Sequence, residues 1–102
     1  MYLVQILLPL YDNAGRALPR ELHDGVFRAL AERFGGVTAF TRAPAEGAWM
    51  ESGARVSRDE VVVFEVMVER LERDWWAVYR RQLEADFKQE KILIRAMGVE
   101  EL

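Results

Sequence analysis

Glu60-Val61-Val62-Val63-Phe64-Glu65-Val66-Met67-Val68 is the stretch that decides the fold. β-branched and aromatic residues fill it, with no Pro or Gly, which is the composition of a pleated, half-buried strand. Alternation along it puts Val62, Phe64, Val66 and Val68 on one face and Val61, Val63, Glu65 and Met67 on the other. One acid therefore stands among apolar neighbours. Buried without a partner, a carboxylate costs several kcal/mol or takes up a proton. Glu65 must face water or meet a partner.

Outward from this strand the chain reads β-α-β-β-α-β. Tyr2 to Leu10 is apolar on both sides, as a central strand covered on both faces would be. Pro19 fits the first turn of a helix. Leu22, Val26, Ala29, Leu30 and Phe34 line one face of that helix, and Gly35-Gly36 closes it. Val37 to Arg42 is a second strand, followed by a Gly- and Pro-punctuated segment to about Ser57. The third strand covers 58–68. A second helix runs from about Leu71 to Gln89, with Trp76, Tyr79, Leu83 and Phe87 on its apolar face, widened by Trp75 and Val78. Lys91 to Met97 is the fourth strand.

Two right-handed β-α-β units joined by a hairpin give a four-stranded antiparallel sheet in the order 4-1-3-2, with both helices on one face. This is the ferredoxin-like α+β architecture, expected as one domain over residues 1–102. The other face is expected to carry Leu3, Gln5 and Leu7 from strand one, Leu93, Arg95 and Met97 from strand four, and the outward set of strand three. Ile92, Ile94 and Ala96 face the helices. The open face is more apolar than a lone soluble chain usually exposes. A homodimer with two sheets face to face about a two-fold axis answers that.

The pattern resembles the dimeric α/β-barrel superfamily, whose members include cofactor-independent monooxygenases and muconolactone-isomerase-like proteins. The resemblance is in the order of elements and brings no catalytic motif. The two-sided apolar sheet, with no nucleophile or metal signature, points to a small homodimer that binds a small molecule or acts as an interaction module. The alternative is a cofactor-independent enzyme, monooxygenase- or isomerase-like, with Glu65 as its base.

Gln5, Glu65 and Arg95 fall on neighbouring strands of the open face. Aligned, Arg95 would clamp Glu65 while Gln5 fills a remaining lone pair. Such a network either fixes the register of a dimer or orients a ligand, with Glu65 catalytic. The segment 41–57 is long for a hairpin connection. It is an arm that packs on a partner, or a lid in which Trp49 covers a pocket and Arg42 meets an anion. His23, the single histidine, has no Ser or Cys nucleophile motif beside it and reads as a boundary residue. Trp75 and Trp76 point about 100° apart, so one anchors the core and the other lies at its edge.

Several classes are disfavoured. The net charge is −3 with acids and bases interleaved, against a nucleic-acid partner. An RNA-recognition surface would need aromatics where Leu3, Gln5, Val61, Val63 and Glu65 stand. With no cysteine and one histidine, no metal site and no cofactor is expected. No membrane-length apolar run or signal segment appears, so the expected location is cytoplasmic.

Overall fold

The computed structural model describes the backbone of residues 1–50 and 56–102, and the side-chain surroundings of residues 1–40 and 60–102. The elements are β1 (Tyr2–Pro9), α1 (Arg20–Phe34), β2 (Thr38–Met50), β3 (Val56–Val68), α2 (Arg73–Asp86) and β4 (Leu93–Gly98). The sheet order is β2-β3-β1-β4, the expected order read from the other edge. β1 pairs antiparallel with β3 on one side and β4 on the other. β1 is therefore central in the sheet. Val4, Ile6 and Leu8 on its helix side are buried, whereas Leu3, Gln5 and Leu7 on its other side are half-buried, so within one chain only one of its faces is covered.

Both helices lie on one face of the sheet and bury one core. Val4, Ile6 and Leu8 of β1 and Val62, Phe64, Val66 and Val68 of β3 form its floor. Val26 and Leu30 of α1 and Trp76, Tyr79 and Leu83 of α2 form its roof, with Phe87 and Ile92 closing one end. Every inward position expected on β3 is buried. The helix faces are narrower than their sequence patterns. Ala29 is exposed, and so is Val78, at 57%. Ile92 is buried just before β4 begins, held by its backbone N–H donating to Glu84 Oε2 at 2.9 Å. Ala96 shares the helix-side face with Val4 through their pairing, yet it is exposed because β4 is an edge strand.

The helix ends follow backbone chemistry. Pro19 is the N-cap of α1 rather than a residue of its first turn. Gly35 ends α1 in the left-handed conformation at φ 78°, its N–H bonded to Ala31 O at 2.9 Å. α2 stops at Asp86, short of the expected Gln89, because Lys88 turns left-handed at φ 53°. Lys88 N–H donates to Ala85 O at 3.3 Å and Gln89 N–H to Glu84 O at 2.9 Å, the paired closure of a Schellman motif.

The largest departure is in the central hairpin. β2 does not end at Arg42; its backbone continues to Met50, and β3 starts at Val56. Ala45 to Met50 pair with Val61 to Val56, beyond Pro9, where β1 ends opposite Val61. The segment is thus an extended two-stranded arm. Its pairing slips between Phe40 and Ala45, so that Thr41, Arg42, Ala43 and Pro44 stand opposite Val62 alone. Pro44 has no N–H for the ladder, which fits an irregularity here.

Candidate functional site

Pairing register decides what the open face presents. Thr38 pairs with Glu65, Glu65 with Gln5, and Gln5 with Arg95. Four strands therefore place four polar residues in one transverse row, all on the face away from the helices. Gln5 Nε2 donates to Glu65 Oε2 at 2.7 Å, and Arg95 Nε donates to Gln5 Oε1 at 2.7 Å. The amide of Gln5 is used on both sides. The direct clamp of Arg95 on Glu65 does not form, because β1 lies between β3 and β4. Gln5 is the relay between them, and the acid and the base sit two strands apart.

Apolar rows flank the polar one. Phe40, Val63, Leu7 and Leu93 are aligned on one side, and Met67, Leu3 and Met97 on the other. Phe40 is 49% exposed, while Met67, Leu93 and Met97 are each above 40%. The open face is thus a greasy surface crossed by one hydrogen-bonded seam. Side by side on neighbouring strands, a neutral amide between two charges avoids a like-charge contact and satisfies three polar groups with two bonds.

Among the described residues, two of the hollows that adjoin the sheet bear on the candidate residues. One, of about 610 Å³, lies by the Gly35-Gly36 turn; Leu3, Phe34, Val37, Thr38, Glu65 and Met67 line it. It brings Glu65 to an open concavity. The other, of about 650 Å³, is on the helix side between α1 and β2, over Val62 and Phe64, with Tyr11, His23 and Phe27 in its wall. His23 is a tether at that wall, a boundary position: its Nε2 lies 2.9 Å from Pro9 O and its ring meets Phe87 edge-on at 5.3 Å. Trp76 is buried and Trp75 sits at the core edge, stacked on Tyr79 at 4.9 Å with Arg33 over it at 4.1 Å. Burial, and then the Asp86 carboxylate, push the Tyr79 hydroxyl from its ordinary value of 10.0 up to about 12.

Of the site residues expected from sequence, the structure brings Gln5, Glu65 and Arg95 together. Arg42 and Trp49 lie on β2, and their side chains fall outside the described residues. Sequence reasoning missed Thr38 and Phe40 as members of the open face. The alternation of Val37 to Arg42 was visible, but its phase against β3 is a matter of pairing. Among the described residues, no group of three or more His, Asp and Glu could hold a metal ion, and no helix is long and apolar enough to cross a membrane.

No protein-family model matches the chain. No curated protein matches it either. Among solved structures, the chain is similar to a phage SAM lyase in complex with S-methyl-5′-thioadenosine. The TM-score is 0.63 and the identity 15%, over 94% of this chain and 79% of that one. A phage SAM lyase in its apo state gives a TM-score of 0.60 at 15% identity, over 94% of this chain and 78% of that one. At this identity the likeness is one of fold, a βαββαβ α+β sandwich of the ferredoxin-like kind.

Proposed function

We propose that this chain, as one ferredoxin-like domain over residues 1–102, is a homodimeric interaction module of the dimeric α/β-barrel kind, closed through the open face of its sheet. One observation carries the reading. The face away from the helices has exposed apolar side chains on both sides of a hydrogen-bonded polar seam, Arg95–Gln5–Glu65. A seam inside an apolar surface is what fixes register when that surface is covered. Leu7 lies between Val63 and Leu93 in the middle of the face. Leu7→Glu is expected to leave the fold intact and abolish self-association. Sedimentation velocity across micromolar concentrations measures it. A wild-type chain that stays a lone subunit throughout that range defeats the reading.

The likeness to a lyase with a bound nucleoside supports a second reading, with Glu65 beside its 610 Å³ hollow as the base of a cofactor-independent enzyme. Arg95 or Arg42 would then meet an anionic centre, Gln5 would orient the ligand, and Trp49 would shape the pocket. Glu65→Gln separates the two. Loss of the dimer supports the seam as a register pin. An intact dimer that binds S-methyl-5′-thioadenosine as wild type, and loses that binding on Glu65→Gln, supports a site.

A further inference from the structure

We infer that the partner covering the open face is a second copy turned about a two-fold axis running along the strands, close to β1, so that Glu65 of each copy is paired with Arg95 of the partner subunit. The inference rests on the dimer reading above and specifies its geometry. Two identical sheets can meet face to face only about an axis lying in the plane between them. For aligned sheets that axis runs along the strands or across them. An axis midway between would cross the strands at right angles and lay Glu65 and Arg95 over the apolar rows of the other copy, leaving both charges unpaired.

The charge order chooses between these. Glu65 and Arg95 lie on opposite sides of Gln5, about 10 Å apart at two strand spacings. An axis across the strands keeps left and right, setting Glu65 on the partner's Glu65 and Arg95 on the partner's Arg95. Like charges so placed in a desolvated face repel. An axis along the strands exchanges left and right. Each acid then meets a base, twice per dimer by symmetry. The in-chain bonds leave the groups available for this. Arg95 uses Nε toward Gln5, and Glu65 uses Oε2. Among the described residues, the Arg95 Nη groups and Glu65 Oε1 have no bonded partner. Arg95 is exposed and its long stem reaches across a sheet-to-sheet gap of about 10 Å. The flanking rows fit the same operation, because Val63 and Met67 on β3 are carried toward Leu93 and Met97 on β4 of the other copy.

The test is a charge exchange in the full chain, read as the dimer dissociation constant by sedimentation equilibrium. Glu65→Arg alone and Arg95→Glu alone each face like charges twice, and each is expected to weaken the dimer by roughly tenfold or more. Mixed in equal amounts, the two variants regain attraction at both pairs, with a constant within roughly threefold of wild type. Neither chain in the mixture has a restored in-chain seam, so recovery reports only contacts between copies. Arg28→Glu, on the exposed side of α1, controls for net charge and is expected to leave the constant unchanged.

A dimeric wild type with unaffected single variants, or a mixture that does not recover, overturns the axis while leaving the dimer. A wild type that never associates removes both. Should the charge reversals unfold, the neutral cycle of Glu65→Gln, Arg95→Gln and the double change is used instead. Coupling in the dimer constant supports the pairing, and strict additivity overturns it.

Discussion

The two faces of one sheet obey different rules. On the helix side, β1 and β3 contribute seven residues, from Val4 to Val68, all apolar and all buried. On the open side the same two strands contribute Leu3, Leu7, Val61, Val63 and Met67, almost as apolar, yet interrupted by Gln5 and Glu65. The covered face specifies by shape, since close packing punishes any change of volume. The open face adds a polar row, which in the proposed dimer is the element that specifies register. A face intended only for water would have no need of so many apolar groups, and a face intended only for a core would have no need of the row.

The largest effect expected from this contrast is at Phe64. It is 1% exposed in the floor of the core, with its ring edge-on to Phe27 of α1 at 6.5 Å. Phe64→Ala is expected to cost about 3–5 kcal/mol, as transfer and cavity terms add. Val63, its neighbour in sequence, points the other way. Val63→Ala should cost under about 1 kcal/mol in a dilute lone chain. Urea unfolding of the two variants at low protein concentration measures the difference. Equal losses would break the comparison, because they would mean that the open face is already packed within one chain.

Gln5→Leu sharpens the same contrast at smaller scale. The change keeps most of the volume but removes both seam bonds, at 2.7 Å each. Glu65 and Arg95 can rehydrate in a lone chain, so unfolding should show a loss of about 1 kcal/mol. In an assembled dimer the same groups would be left dry, and the loss should grow with protein concentration. The concentration dependence of the midpoint is the measurement. A loss independent of concentration would confine the seam to intrachain stability.

Most of the layout is legible in the sequence. Alternation in 60–68 separated covered from open residues, and each inward position named on β3 is buried. Glycine punctuation placed the end of α1, where Gly35 is left-handed. What could not be read depends on pairing between distant segments. Nothing local to Thr38 or Phe40 says which β3 residue lies opposite. The arm is one of the two readings that 41–57 allows, but its strand bounds are not legible, because Gly47 and Pro44 read as loop chemistry whereas backbone pairing carries the strand through them. α2 was overrun because Lys88 takes a left-handed conformation that usually falls to glycine. The seam was legible as three residues on neighbouring strands. Its chemistry changed once the strand order put the amide between the charges.

Tyr79 gives the covered face a pH signature of its own. Its hydroxyl is pushed up to about 12, first by burial and then by Asp86. The folded state thus favours the neutral phenol over the unfolded chain. That stabilisation is complete below pH 10.0, the ordinary tyrosine value, and is lost as pH rises toward 12. Tyr79→Phe should flatten the fall in stability across this interval, and ultraviolet titration should show one late phenolate in wild type only. A late phenolate that survives Tyr79→Phe would locate the buried hydroxyl elsewhere.

The smallest expected effect tests the outer rim of the covered face, where neither packing nor assembly dominates. Arg33 lies over the Trp75 ring at 4.1 Å and donates from Nη2 to Glu72 Oε2 at 2.8 Å, linking the last turn of α1 to the N-cap of α2. The Arg33 and Glu72 side chains are both more than 40% exposed, so water screens the ion pair and its net worth is at most about 1 kcal/mol. The cation–π contact adds about 0.5–1 kcal/mol at an exposed site and resists salt better than the pair does. Arg33→Lys keeps the charge but loses the flat guanidinium that stacks on the ring. The two contributions can therefore be told apart. If stacking carries the link, Arg33→Lys should lose nearly as much as Arg33→Ala, and the loss should persist in high salt. If the ion pair carries it, Lys should rescue the protein and salt should erase the difference from Ala.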